Sequence, residues 1–333
     1  MDVKVVIIAG GGGKRLWPLS TDNKPKPFLN FFSDETLIKN TYERAKRISN
    51  DIYMVVNIKH KKYVSKFSAK KIYEIIGRNT APAIALSSLF LEDDDIMVIF
   101  PADHVIPEIE KFEEIIKKAI DFSKKNDALI TLGVKPTYPE TGYGYIELGK
   151  KVEEDIFKVI SFHEKPEGKK AREYITKGNF LWNTGIFIWK NKAIKNAFLK
   201  YLPEEFEKIS KLKKYIGEDS FEEKVEEIYR DIRSISVDKG ILEKAENIYV
   251  VYADFSWSDI GSWESIYNIS PKDENGNYIS GKVKAVNIKN SLVLNYSKKE
   301  MVIIDEENII VVVTDDHMLI SKKESSSKIK DVV

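Results

Sequence analysis

The stretch Val3-Lys4-Val5-Val6-Ile7-Ile8-Ala9-Gly10-Gly11-Gly12-Gly13-Lys14-Arg15 decides how the rest of the chain is read. It begins with an almost unbroken apolar run, the pattern of a strand buried on both faces of a parallel sheet. The glycines that follow have no side chains, so their backbone N–H groups can approach an anion closely. A strand running into glycines is therefore a phosphate site on physical grounds. Two well-known versions fail on the letters. A dinucleotide fingerprint, G-x-G-x-x-G, meets Arg15 or Leu16 where its last glycine belongs, and no acidic residue ends the second strand at Asn57. A P-loop needs Ser or Thr after Gly-Lys, but Gly13-Lys14 is followed by Arg15, and Ile8 stands at the upstream glycine position. What remains is a glycine loop with two adjacent cations, Lys14 and Arg15, suited to a bent triphosphate. Taken alone, it also fits an ordinary glycine turn with exposed cations.

Outward from this loop, apolar runs at 53–58 and 96–100 repeat the buried-strand pattern, and helical spacing predicts helices over 36–48, 61–73 and 83–91. Alternating strands and helices predict a doubly wound α/β sheet for the first hundred or so residues. Strands are predicted at 128–134, 144–148, 157–163 and 184–189, and a charged, largely helical stretch over 190–232. Ser270-Pro271-Lys272-Asp273-Glu274-Asn275-Gly276-Asn277 is rich in turn formers. Beyond it only short β-type runs occur, at 283–288, 292–296, 301–304, 309–314 and 318–320, before a Ser/Lys-rich tail expected to fray. The chain is accordingly divided into an α/β domain over 1–270 and a small all-β domain over 271–333.

Composition narrows the function classes. The 333 residues, 43% hydrophobic and 32% charged, fit a soluble globular protein with a substantial core. A formal net charge of +1 gives no general attraction for polyanions, so no nucleic-acid partner is expected. Cysteine is absent, which removes disulfides, thiolate metal sites and a cysteine nucleophile. The N-terminus lacks the basic start and long apolar core of a signal peptide, and no stretch is long enough to span a bilayer. No membrane association and a cytoplasmic location are the expectation. Glutamine is also absent while Lys, Glu and Ile are abundant, a bias that a heat-adapted source or an AT-rich genome would each produce.

Further along, Asp103 in Ile99-Phe100-Pro101-Ala102-Asp103-His104 places a carboxylate just past the end of a buried strand, where open α/β sheets bind ligands. The four histidines, at 60, 104, 163 and 317, are scattered, which argues against a zinc centre. Ala9-Gly10-Gly11-Gly12-Gly13-Lys14-Arg15-Leu16-Trp17-Pro18-Leu19-Ser20 resembles the opening of the sugar-nucleotide pyrophosphorylases, and its Trp-Pro-Leu-Ser ending resembles that of the mannose-1-phosphate guanylyltransferases. Pro25-Lys26-Pro27-Phe28-Leu29 follows where that family carries Pro-Lys-Gln-Phe, with Pro27 in place of the glutamine. Gly77-Arg78-Asn79-Thr80-Ala81-Pro82-Ala83 reads locally as a well-capped helix start, and matches the family string that lines the nucleotide base pocket.

Thr141-Gly142-Tyr143-Gly144-Tyr145-Ile146, Phe162-His163-Glu164-Lys165-Pro166 and Asn183-Thr184-Gly185-Ile186-Phe187 resemble the sugar side of the pocket, and Ser236-Val237-Asp238-Lys239-Gly240-Ile241-Leu242-Glu243 resembles another family string. The resemblance covers nearly the whole chain. It implies a Rossmann-like nucleotide-diphospho-sugar transferase fold, of mixed, mainly parallel sheet flanked by helices, with a small all-β, β-helix-like C-terminal domain.

It also implies the reaction of GTP with mannose 1-phosphate to give GDP-mannose and pyrophosphate. The implied roles are Gly10, Gly11, Gly12, Gly13, Lys14, Arg15, Asn79, Thr80, Ala81 and Asp103 at the nucleotide, and Gly144, Tyr145, Glu164, Lys165 and Asn183 at the sugar phosphate. Arg15, Lys26 and Asp103 would be catalytic, with Asp103 and Asp259, from Trp257-Ser258-Asp259, holding Mg²⁺. His104 is expected to orient its neighbours rather than act as a base. Two alternatives are a glucose 1-phosphate enzyme using dTTP or UTP, and a silent regulatory subunit that only binds nucleotide sugars. An exposed β-rich tail would suit self-association into a homodimer.

Overall fold

The opening strand β1, Val3–Ala9, lies inside a sheet because all its hydrogen-bonding neighbours come from equally apolar segments. The computed structural model describes residues 1–10, 13–31 and 34–333, so Gly11 and Gly12 of the glycine run lie outside the described residues. The described chain falls into two compact units, one of residues 1–10, 38–102 and 106–257, the other of 11–37, 103–105 and 258–333.

In the first unit, β1 is followed by α1 (Leu37–Ile48), β2 (Ile52–Asn57), α2 (Lys61–Val64), β3 (Lys70–Glu74), α3 (Thr80–Ser88), β4 (Ile96–Pro101), α4 (Ile109–Lys125) and β5 (Leu129–Val134). Next come β6 (Gly144–Glu153), β7 (Ile156–Glu164), α5 (Gly168–Lys177), β8 (Phe180–Lys190), α6 (Asn191–Tyr201), α7 (Pro203–Ser210), α8 (Phe221–Arg230) and β9 (Ile248–Tyr252). The strands form one nine-stranded sheet in the order β3-β2-β1-β4-β8-β5-β9-β7-β6. β3, β2, β1 and β4 are parallel, whereas β8 runs antiparallel to both β4 and β5. The mixed α/β class agrees with expectation, but the sheet is not mainly parallel. β3–β2, β2–β1, β1–β4 and β5–β9 pair in parallel, while β4–β8, β8–β5, β9–β7, β7–β6 and β8–β6 pair antiparallel, because an apolar run does not fix strand direction. α4 shows how the pattern works: Phe112, Ile115, Ile116, Ala119 and Ile120 share one buried stripe, and Lys124 and Lys125 sit in the last turn, where they complement the helix dipole.

Helix spacing over 61–73 was misleading. Only Lys61–Val64 is helical, and Lys70–Glu74 is an edge strand paired in parallel with β2. Its alternation buries Ile72 and Glu74, and the waiting edge of β2 outweighs a modest helical preference.

The second unit holds α9 (Trp263–Ile269) and the strands β10 (Tyr278–Gly281), β11 (Val283–Val286), β12 (Leu292–Asn295), β13 (Met301–Ile304), β14 (Ile309–Val313) and β15 (Met318–Lys322). They make a four-stranded sheet, β10-β12-β14-β15, and a two-stranded sheet, β11-β13. Leu16, Leu37, Ile260, Trp263, Ile266, Leu292, Leu294, Ile310, Val312 and Ile329 form one buried cluster. The residues after the glycine loop therefore share a core with the small sheets. The tail does not fray as expected: Lys323–Asp331 forms 3-10 turns, with Ile329 buried in that core.

Candidate active site

In the second unit, Gly13 adopts a left-handed conformation, φ 60°, and begins a 3-10 turn over Lys14–Leu16. A Cβ on Gly13 would lie 2.6 Å from Ser20 Oγ and 2.7 Å from Lys26 Cβ, so both the conformation and the space demand glycine. Leu16 anchors the turn in the core, which leaves Lys14 and Arg15 exposed, and neither makes an ion pair among the described residues. Gly10 is exposed and has open space where a side chain would be.

Lys26 is nearly buried, at 8% exposure, in a second 3-10 turn, Lys26–Phe28. Its Nζ lies 2.9 Å from Asp103 Oδ2 and also donates to the main-chain carbonyl of Asp259. Residues 103–105 and 258–259 run side by side, because Val105 and Ser258 exchange backbone hydrogen bonds of 2.9 and 3.1 Å. Asp259 Oδ1 accepts the Gly261 N–H at 2.8 Å, and Ile260 between them is held at φ 45°, a costly conformation for a β-branched residue. Trp263, fully buried, donates from Nε1 to Trp17 O at 2.9 Å and ties this turn to the Trp-Pro-Leu-Ser segment. Burial pushes the Asp103 carboxyl up, but the Lys26 ammonium and then His104 pull it further down, so it stays below the usual carboxylate range. The structure thus brings Gly13, Lys26, Asp103 and Asp259 together. His104 is buried beside Asp103 and helps to lower its pKa.

The first unit carries the other motifs in two places. Asn79 caps α3, its Oδ1 accepting the Thr80 N–H at 2.8 Å. The segment 229–237 pins the loop: Arg78 donates to the carbonyls of Tyr229 and Arg230, Thr80 Oγ1 accepts the Val237 N–H, and the Ala81 N–H donates to Ile235 O. Arg78 and the Ala81 N–H are therefore engaged within the protein, while the Asn79 side chain is exposed.

Elsewhere, β6 and β7 pair Gly144 with Glu164, and a Cβ on Gly144 would come within 2.9 Å of Glu164 Oε2 and 3.3 Å of Asn183 Cβ. Glu164 is buried, at 7% side-chain exposure, and forms an ion pair with exposed Lys165. Asn183 Oδ1 accepts from Thr131 Oγ1 at 2.7 Å and from the Gly185 N–H at 3.2 Å, and its Nδ2 donates to Asp238 Oδ1 at 2.9 Å. Tyr145 is fully buried and its hydroxyl donates to Glu140 O, so its ring supports Gly144 rather than facing outward. Tyr143, also buried, packs in edge contact with Trp182 and Trp257. Asp238 received no role in the sequence reading; its place in the Ser236-Val237-Asp238 string was the available signal. Burial, and then the negative charge of Glu164, push its carboxyl up.

Residues 4–276 match the family described as Nucleotidyl transferase. A mannose-1-phosphate guanylyltransferase of Escherichia coli is 32% identical over 310 residues, covering 88% of this chain and 67% of that protein. One from Klebsiella pneumoniae is 34% identical over 303 residues, covering 86% of this chain and 64% of its own length. The chain thus spans about two thirds of the length of these curated relatives. A solved structure from Thermus thermophilus, described as a mannose-1-phosphate geranyltransferase, is 28% identical with a TM-score of 0.88, covering 100% of this chain and 98% of that one.

Proposed function

This chain belongs to the nucleotidyl transferase family, and we propose that it transfers GMP from GTP to α-D-mannose 1-phosphate, giving GDP-mannose and pyrophosphate. The names of its relatives support the substrates. The observation that carries the chemistry is the convergence on Lys26 of the Asp103 carboxylate and the Asp259 main chain. An ammonium has three donors, so a third remains for a phosphate oxygen.

An oxygen of the sugar phosphate attacks the α-phosphorus, and the bond from the α-phosphorus to the bridging oxygen breaks as pyrophosphate leaves. Two anions must meet, so positioning and charge neutralisation carry the catalysis. Arg15 with Lys14 takes the β- and γ-phosphates, Lys26 the charge at the α-phosphate, and Lys165 the sugar phosphate. Gly10 to Gly13 cradle the triphosphate. Asn79, Thr80 and Ala81 line the base. Gly144, Glu164 and Asn183 take the sugar, with Tyr145 behind them.

The donors suit Mg²⁺: both are hard carboxylate oxygens, Asp103 is held in its charged form, and among the described residues no His or Cys joins them in a softer set. Asp103 and Asp259 would hold the ion, whose contribution there is to neutralise phosphate charge. The family match over 4–276 supports a catalytic domain at 1–270, and parallel pairing of β10, β12 and β14 supports a β-helix-like reading of 271–333. Exposed Val302, Ile304, Met318 and Ile320 on that part support a homodimer, which light scattering tests. Among the described residues no helix is long and apolar enough to cross a membrane.

Incubating the protein with GTP, mannose 1-phosphate and Mg²⁺ should yield equal amounts of GDP-mannose and pyrophosphate by ³¹P NMR. Pyrophosphate without nucleotide sugar would refute a transferase.

A further inference from the structure

Residues Asp238–Leu242 form a single π-helical turn, a rare geometry that often marks functional positions. Its two ends reach different strands of the sugar side. Asp238 accepts from Asn183 on β8, and Glu243, just past the turn, accepts the Glu164 N–H of β7 at 3.0 Å. Gly240 presses the turn close: a Cβ there would lie 2.7 Å from Leu202 Cδ1.

The orientation of the Asn183 amide follows without ambiguity. The Gly185 N–H can only donate, so the atom it meets is the amide oxygen, and the amide nitrogen must face Asp238. One N–H then lies on Asp238 and one remains. The carboxylates of Glu164 and Asp238 are placed beside exposed Lys165, with the Glu243 carboxylate on the Glu164 N–H. Carboxylates repel a phosphate but accept from hydroxyls, so this mixture suits a polyol carrying one phosphate.

We infer that Asp238 is a positioning residue of the sugar pocket: it fixes the Asn183 amide so that the second N–H meets one sugar hydroxyl while Glu164 accepts from a neighbouring one. This rests on the sugar-nucleotide reading above. The Asp238 side chain bonds Asn183, whereas the Thr80 and Ala81 loop is held by the main chain of Ile235 and Val237, so a side-chain change at 238 should spare the nucleotide contacts.

The test compares affinities for GDP-mannose and GDP by calorimetry in the full-length protein, a readout separate from turnover. Wild type binds GDP-mannose more tightly than GDP. Asp238→Ala weakens GDP-mannose on the order of 10- to 100-fold, the scale of an orphaned buried hydrogen-bonding group, and leaves GDP within about twofold. Asp238→Asn, whose amide oxygen can accept the same N–H, retains most of the wild-type preference. If Asp238→Ala keeps the wild-type preference, or loses GDP equally, Asp238 has no positioning role. If Asp238→Ala does not fold, loss of the preference in Asp238→Asn overturns the inference and its retention upholds it. A wild type that binds GDP-mannose no better than GDP refutes the sugar-nucleotide reading itself, and the inference with it.

Discussion

Removing the Lys26 ammonium should cost both stability and rate, and by separable amounts. Lys26 and Asp103 keep 10% and 20% of their side-chain surface, with 2.9 Å between charges. Breaking a fully buried pair costs about 3–5 kcal/mol and a surface pair about 0–1 kcal/mol. With some water still reaching Asp103, the expected loss for Lys26→Ala is about 2 kcal/mol. A variant that folds is expected to lose turnover on the order of 10²–10³, as for one contact made in the transition state. Lys26→Met keeps the aliphatic stem in its turn and should recover part of the stability and none of the rate. The assays are urea unfolding and pyrophosphate release at saturating substrates. Near-wild-type turnover in Lys26→Met would refute the role of the charge. Unchanged stability in Lys26→Ala would refute the worth assigned to the pair.

Burial pushes the Glu74 carboxyl up to about 7 from an ordinary 4.5. The folded state then holds its proton more tightly than the unfolded chain, so stability falls as pH rises from about 4.5 to about 7, by about 3 kcal/mol. Glu74→Gln should remove that part of the difference between urea midpoints at about pH 5 and about pH 8; an unchanged slope contradicts it. Gly13→Ala, with its left-handed φ and a 2.7 Å approach to Lys26 Cβ, should lose at least ~1–2 kcal/mol by thermal unfolding, while Gly10→Ala, with nothing within 4 Å, should melt like wild type. Equal melting of the two would be the failing result. Gly144→Ala, crowding Glu164 and Asn183, should raise KM for the sugar phosphate about tenfold and leave KM for the nucleotide alone, since a lost close contact of this size is worth ~1–2 kcal/mol; a parallel rise in both would show a general distortion.

Local pattern was enough for β1, which covers the apolar run Val3–Ala9 as read, and for the parallel neighbours β2 and β4. It was not enough where distant pairing decides. β8 enters antiparallel between β4 and β5, and β3 became a strand only because β2 offered an edge. The site divides in the same way. Lys26, Asp103 and Asp259 were visible as motif residues, but not that Lys26 would hold Asp103 by its carboxylate and Asp259 by its main chain, which depends on the pairing of 105 with 258. Tyr145 was legible as a motif aromatic, yet it is fully buried with its hydroxyl on Glu140 O, while Tyr143, just before β6, packs edge-on against Trp182 and Trp257. Asp238 carries no local mark beyond its string, because its partner Asn183 lies 55 residues away.

The most direct test of a guanylyltransferase is a comparison of kcat/KM for pyrophosphate release with GTP, ATP, CTP, UTP and dTTP, each with mannose 1-phosphate and glucose 1-phosphate, with and without Mg²⁺. GTP with mannose 1-phosphate should be the preferred pair, and activity should disappear when the ion is chelated. Preference for dTTP or UTP, or no release from any pair, would contradict it.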